Sequence, residues 1–273
     1  MANSPIQRDL ISHCIEFMSN KDVIRPFLEQ HGIKAPKSYS YKDLALSYEN
    51  NPDAITVDEI CTEFRRVWTP CDVDRHISHL TSGLLDGHDW RGARPSMLHL
   101  SLQDRVRECC EGSISLEEFL SIGSDIVKHE YFMVASHDIC ETAIIQSFPS
   151  VIPPIGIKSV TDFVFDDVPY DLKITSHPDA WKALAGRMSV DEKKTLANEL
   201  YEGADSERMR KMAEGCKHNW GLNRMYYIVN DQNKWLDDPM GVVSYLIDSL
   251  RDESNYFDIM VQGFKIHICM IEQ

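Results

Sequence analysis

The sequence predicts an α/β protein with a mainly helical N-terminal region. Three observations carry this reading. Apolar residues recur at helical spacing through much of the first half of the chain; the segments VTDFVF (160–165) and YDLKIT (170–175) alternate around a turn; and the apolar runs RMYYIV (224–229) and FKIHICMI (264–271) alternate with helical stretches. No internal repeat or low-complexity segment interrupts the pattern.

In residues 5–31, Ile6, Leu10, Ile11, Cys14, Ile15, Phe17 and Met18 keep helical spacing, and a second short helical stretch runs from about Val23 to Leu28. Gly32 and the neighbourhood of Pro36 end it, and a Tyr-, Ser- and Lys-rich loop (36–42) and the turn Asn50-Asn51-Pro52-Asp53 separate it from the next helical segments. Two helices are expected there: VDEICTEFRRVW, with Thr56 as N-cap and Glu59 three residues on, and DVDRHISHLTSGLL, opened by the break Thr69-Pro70. Gly87 to Pro95 is turn-rich and carries Arg91 and Arg94, and MLHLSL (97–102) reads as a strand. Two helices, a turn and a strand suit either a winged helix-turn-helix or a plain helical subdomain. In the first case Arg65, Arg66, Arg75, Arg91 and Arg94 should gather on one surface.

From Ser115 a helical region carries Leu116, Phe119, Leu120, Ile122, Ile126 and Val127, and a further helix spans about His129 to Ser147. A proline-punctuated loop, Phe148 to Pro154, leads into the two alternating strands and their turn, Asp166-Asp167-Val168-Pro169. Helical stretches are expected at 178–186 and 189–216, then a buried strand at 224–229, a helix from Gly241 to Leu250 and a final strand at 264–271. This divides the chain into a mainly helical part, 1–112, and an α/β part, 113–273.

At 273 residues and 43% hydrophobic content the chain can bury a large core without staples. Its eight cysteines are scattered, without CxxC pairs or zinc-ligand spacing, and read as reduced thiols of a cytoplasmic protein. The N-terminus lacks the basic flank and apolar stretch of a secretion signal, and no run is long enough for a bilayer, so no membrane partner is expected. A net charge of −15 argues against binding nucleic acid by general attraction. It leaves open a focused basic cleft, or a metal ion joining acidic residues to phosphate.

The hairpin offers such chemistry. Asp171 and Lys173 lie two apart on the second strand and share a face, Leu172 between them points the other way, and the turn brings Asp162 toward Asp171. Two carboxylates that close repel unless protonated or metal-bound. Phosphodiester hydrolysis asks for carboxylates that hold Mg²⁺ and a lysine that orients water or stabilises transition-state charge. The backbone carbonyl of Leu172 is a further candidate ligand.

Asp162, a short gap, then Asp171-Leu172-Lys173 on a hairpin resembles the PD-(D/E)XK nuclease superfamily, which includes many type II restriction endonucleases. Thr161 stands where that family often has proline. The segment HDICETAIIQSF supplies Glu141 on the preceding helix, matching a further family element, and the resemblance covers about residues 135–230. It implies a restriction-endonuclease-like core, a mixed central sheet flanked by helices. Asp162 and Asp171 would bind Mg²⁺, Glu141 would add a ligand directly or through water, and Lys173 would support the nucleophilic water. It also implies double-stranded DNA as substrate and a homodimer cutting both strands of a palindromic site. A structure-selective or RNA nuclease is the near alternative, and a DNA-binding regulator with a non-catalytic dimerisation domain the distant one.

Other residues read more plainly. His177 before Pro178 is expected to be a turn residue, Trp220, Tyr226 and Tyr227 core aromatics, and His76 with His79 polar residues on an exposed helix. Arg187, Lys193, Lys194, Arg208, Arg210, Lys211 and Lys217 are interleaved with acids, as on a solvated helix face.

Overall fold

The structure, a computed structural model, describes residues 3–36, 39–83, 85, 109–156, 159, 161–201, 223–261 and 263–273. Arg91, Arg94, the MLHLSL segment, Arg208, Arg210, Lys211, Lys217 and Trp220 lie outside them.

The N-terminal region begins with α1 (Pro5–His13), capped by Ser4 and Gln7 in a reciprocal box, and runs through a π turn (Cys14–Met18) into α2 (Lys21–Gln30). Residues 41–49, left without an element by the sequence pattern, form α3 (Tyr41–Glu49). Ser40 and Asp43 make a second capping box there, and Leu44, Ala45 and Tyr48 supply the buried stripe. The expected cap of α4 (Val57–Val67) is present: Glu59 N donates to Thr56 Oγ1 and Thr56 N to Glu59 Oε2. Helix α5 is Val73–Leu80.

The two helices expected after Ser115 are one, α6 (Leu116–Ser147), which no proline breaks. It leads into a hairpin of β1 (Phe163–Phe165) and β2 (Val168–Thr175). The turn is tighter than expected, only Asp166 and Asp167, with φ of 49° and 62°. A left-handed pair of this kind has the twist a two-residue hairpin needs, and Asp tolerates it. Residues 178–186, expected to be helical, hold only a 3-10 turn at Lys182–Leu184, ended by Gly186 at φ 69°. Helix α7 covers 190–201, then come β3 (Arg224–Ile228), α8 (Asn233–Asp237) and α9 (Pro239–Ser249). Strand β4 (Tyr256–Val261), not foreseen, forms an antiparallel pair with β5 (Phe264–Glu272).

The strands make one five-stranded mixed sheet, ordered β1-β2-β3-β5-β4. β1 is antiparallel to β2, whereas β2, β3 and β5 run parallel, which requires crossover segments between them. On one face Leu172, Ile174, Met225, Tyr227 and Cys269 pack under α6 and α9. On the other, Tyr226, Ile228, Ile268 and Met270 pack against Leu196, Ala197 and Tyr201 of α7. Tyr226 and Tyr227 are thus core aromatics on opposite faces.

The N-terminal helices have their own core, which also takes in Ile152 and Val164 from the hairpin region. Polar contacts reinforce the joint. Ile155 N and Gly156 N both donate to Met18 O, and a Cβ on Gly156 would come within 2.5 Å of Ser19 O, so glycine is required there. Arg65 donates to the carbonyls of Ile145, Phe148 and Val151, satisfying the C-terminal end of α6. Arg66 pairs with Glu63 and Arg75 with Asp72. Among the described arginines of the expected DNA-reading surface, Arg66 and Arg75 are thus paired on their own helices, whereas Arg65 is spent on the joint with α6.

Candidate metal centre

Helix α6 ends its buried run beside the hairpin and presents His137 and Glu141 one turn apart. The β1–β2 register pairs Phe163 with Tyr170, so Asp162 stands across from Asp171 just beyond β1, and its N–H donates to Tyr170 O. The Asp162 carboxylate is fixed from two sides. Its Oδ2 accepts the Leu172 amide at 2.6 Å and faces His137 Nε2 at 3.2 Å. Glu141 Oε2 lies 3.6 Å from His137 Nδ1, and Asp138 Oδ1 lies 3.7 Å from the same nitrogen. One donor atom from each of His137, Glu141 and Asp162 falls within 4.8 Å of the others, the spacing of ligands around a single ion.

The electrostatics of this cluster follow from its partial burial. Burial pushes the Glu141 carboxyl up to about 8, with Asp162 and Asp138 adding to the rise and His137 opposing it. Burial alone would lower His137, but hydrogen bonds to Asp138 and Asp162 and the charges of Asp162 and Glu141 override it and push it up to about 10. Asp162 is raised by burial and lowered more by His137, the Leu172 amide and Lys173, so it sits below the usual carboxylate range. Without a metal, the His137 imidazolium pairs with the Asp162 carboxylate.

Asp171 is held differently. Its Oδ1 accepts Lys173 Nζ and its Oδ2 accepts Arg224 Nη1, each at 2.6 Å. Burial raises its carboxyl; Arg224 and Lys173 work against the rise, and Asp162 adds to it. Arg224 is brought there by the parallel register of β2 and β3, which sets it beside Asp171, and it also stacks on Tyr201. The Leu172 backbone faces Asp162. Asp171 N donates to Asn223 O and Thr175 O accepts Val229 N, so alternate residues of β2 turn to β3 and Leu172 turns to the hairpin edge.

Of the residues singled out in the sequence, Glu141 and Asp162 come together, whereas Asp171 and Lys173 bond to each other beside them. Sequence reasoning missed His137 and Arg224. The i, i+4 spacing of His137 and Glu141 was a signal for the first. Nothing local signalled the second, since its place depends on strand pairing. His177, expected to be a turn residue, is buried just past β2: it bonds Asn230 Oδ1 through Nδ1 at 2.6 Å and faces Glu272 at 3.5 Å, tying together the ends of β2, β3 and β5.

Comparison with known protein families, with curated proteins and with solved structures found no match. Among the described residues, no helix is long and apolar enough to cross a membrane.

Proposed function

We propose that the chain is a divalent-metal-dependent endonuclease of the PD-(D/E)XK type, hydrolysing DNA phosphodiester bonds, with restriction-type cleavage by a homodimer as its specific form. The observation that carries this reading is the convergence of His137, Glu141 and Asp162 beside the Asp171–Lys173 pair. The order helix, hairpin, crossover helix and parallel strand supports it, because it is the order that places a helix-borne carboxylate over a D…DxK hairpin.

The donor set fits a divalent cation. An imidazole and two carboxylates suit Mn²⁺ as well as Mg²⁺, and a bound cation would favour the ionised form of Glu141 that burial opposes. When bound, such an ion supplies Lewis-acid polarisation of the phosphoryl oxygen and a more acidic water. Asp162, anchored by the Leu172 amide, holds its ligand oxygen in place before any ion arrives. The Leu172 carbonyl, turned to the same edge, is the backbone donor of the set. Lys173, about half exposed, is the cation free to turn from Asp171 toward the scissile phosphate or its attacking water. Arg224 keeps the Asp171 carboxylate paired when Lys173 does so.

The test is digestion of a panel of duplex DNA, single-stranded DNA and RNA with Mg²⁺ or Mn²⁺, against a chelator control, with the product ends sequenced. Discrete metal-dependent ends on duplex DNA, lost in Lys173→Met, are expected. Cleavage confined to RNA would move the substrate, and no metal-dependent cleavage of any member would overturn the reading.

A further inference from the structure

A second set of donors meets between α5 and α6. His76 and His79 both aim Nδ1 at the hydroxyl of Tyr131, at 3.1 and 2.9 Å. A hydroxyl donates a single proton, so one imidazole receives it and the other must donate its own. Two nitrogens on one helix thus converge on one oxygen from another. Behind His76, Asp138 Oδ2 lies 3.9 Å from Nε2, beyond hydrogen-bond distance but on the side from which an outer carboxylate orients a metal-bound histidine. The other oxygen of Asp138 faces His137, so one carboxylate stands between this cluster and the centre described above.

We propose that His76, His79 and Tyr131 form a second metal site, selective for a borderline transition ion of the Zn²⁺ class, with Asp138 as its positioning residue. Imidazole nitrogen and phenolate oxygen favour Zn²⁺, Ni²⁺ or Cu²⁺ over Mg²⁺, which demands oxygen ligands and sheds water reluctantly. Each nitrogen lies 3.1 or 2.9 Å from the phenol oxygen, close to the separation of neighbouring ligands around one ion bonded at about 2.0–2.1 Å. His79 lies exposed at the surface, which leaves room for water to complete the coordination shell. Burial raises the Tyr131 hydroxyl and the Arg75 charge works against the rise; a bound cation acts in the same sense as Arg75 and releases the proton to solvent. The two donor sets differ: the first includes two carboxylates, whereas the second, among the described residues, is built from two imidazoles and a phenol.

The experiment strips the full-length protein with a chelator and titrates Zn²⁺ by calorimetry while the near-ultraviolet tyrosinate band is recorded. Two zinc ions per chain are expected for the parent protein, with a tyrosinate signal from one of them. His79→Gln keeps a hydrogen-bonding partner for Tyr131, and circular dichroism checks its fold; it should bind one zinc and give no tyrosinate signal. Glu141→Gln should lose the other zinc and keep the signal. Asp138→Asn should weaken the tyrosinate-reporting site about tenfold. Unchanged stoichiometry in His79→Gln, or zinc binding by the parent without a tyrosinate band, overturns the proposal. None of these readouts depends on DNA cleavage, so failure of the nuclease reading would leave this one standing.

Discussion

His137 Nε2 stands 3.2 Å from Asp162 Oδ2, on the same oxygen that accepts the Leu172 amide. The imidazole, raised to about 10, is protonated at neutral pH, and Glu141, raised to about 8, is protonated too. Both must lose a proton to ligate a metal. Below pH about 8 each bound metal should therefore release about two protons, and between about 8 and about 10 one, so affinity climbs with pH most steeply in the lower range. Calorimetry of Mn²⁺ binding in buffers of different ionisation enthalpy counts those protons. A count near zero at pH 7 would remove His137 and Glu141 from the ligand set.

Asp162→Asn separates metal binding from folding. The amide oxygen can still accept the Leu172 N–H, so the hairpin should hold, but a neutral ligand binds a hard cation far less well. Mn²⁺ affinity and cleavage should fall together, cleavage by about a hundredfold or more, while loss of the His137–Asp162 ion pair lowers the thermal midpoint only modestly. A variant with normal metal affinity would make Asp162 a purely structural anchor of Leu172.

Much of the fold was legible because local patterns carried it. The capping residues Thr56 and Glu59, the alternation around Asp166, and the apolar run at 224–229 each point to their element without tertiary information. What failed depended on distance in sequence. The 41–49 helix shows only Leu44, Ala45 and Tyr48 as its buried stripe, and β4 is legible only beside β5. In the site, Glu141 and Asp162 were readable from the order of helix and hairpin. Arg224 was not, since only the β2–β3 register sets it on Asp171, and His76 and His79 looked exposed until α6 brought Tyr131 between them.

The Asp171–Arg224 pair makes Asp171→Ala a poor probe of catalysis, because the change also removes an ion pair that joins β2 to β3. Arg224 is only 11% exposed, and Asp171→Ala takes a carboxylate partner from this cation in a partly dry site while the Asn223 carbonyl and the Tyr201 ring stay with it, at a cost of about 2 kcal/mol. Arg224→Met combined with Asp171→Ala should recover part of that loss. Urea unfolding of the single and double variants closes the cycle. Lys173→Met, at a half-exposed position, should lower cleavage by about 10²–10³ with little change in stability. Additive losses in the cycle would show that the pair contributes nothing beyond its parts.

The N-terminal helices reach the site through His13, whose Nε2 lies 3.0 Å from Thr161 Oγ1, next to Asp162. Burial holds this imidazole down to about 3, so the folded protein keeps it neutral while the unfolded chain protonates near 6.5. Between those values the unfolded state binds more protons. The stability that neutral His13 contributes is therefore full above pH about 6.5 and lost as pH falls toward about 3. Going from pH 7 to pH 5 should cost on the order of 2 kcal/mol at this residue. His13→Gln can still bond Thr161 but does not titrate. Its stability relative to the parent protein, measured by urea unfolding, should improve by about that amount between the two pH values. Because Thr161 leads directly into Asp162, the same acid step should also weaken Mn²⁺ binding more in the parent than in His13→Gln. If the stability difference between the two proteins is the same at pH 7 and pH 5, His13 is not what makes this joint acid-sensitive.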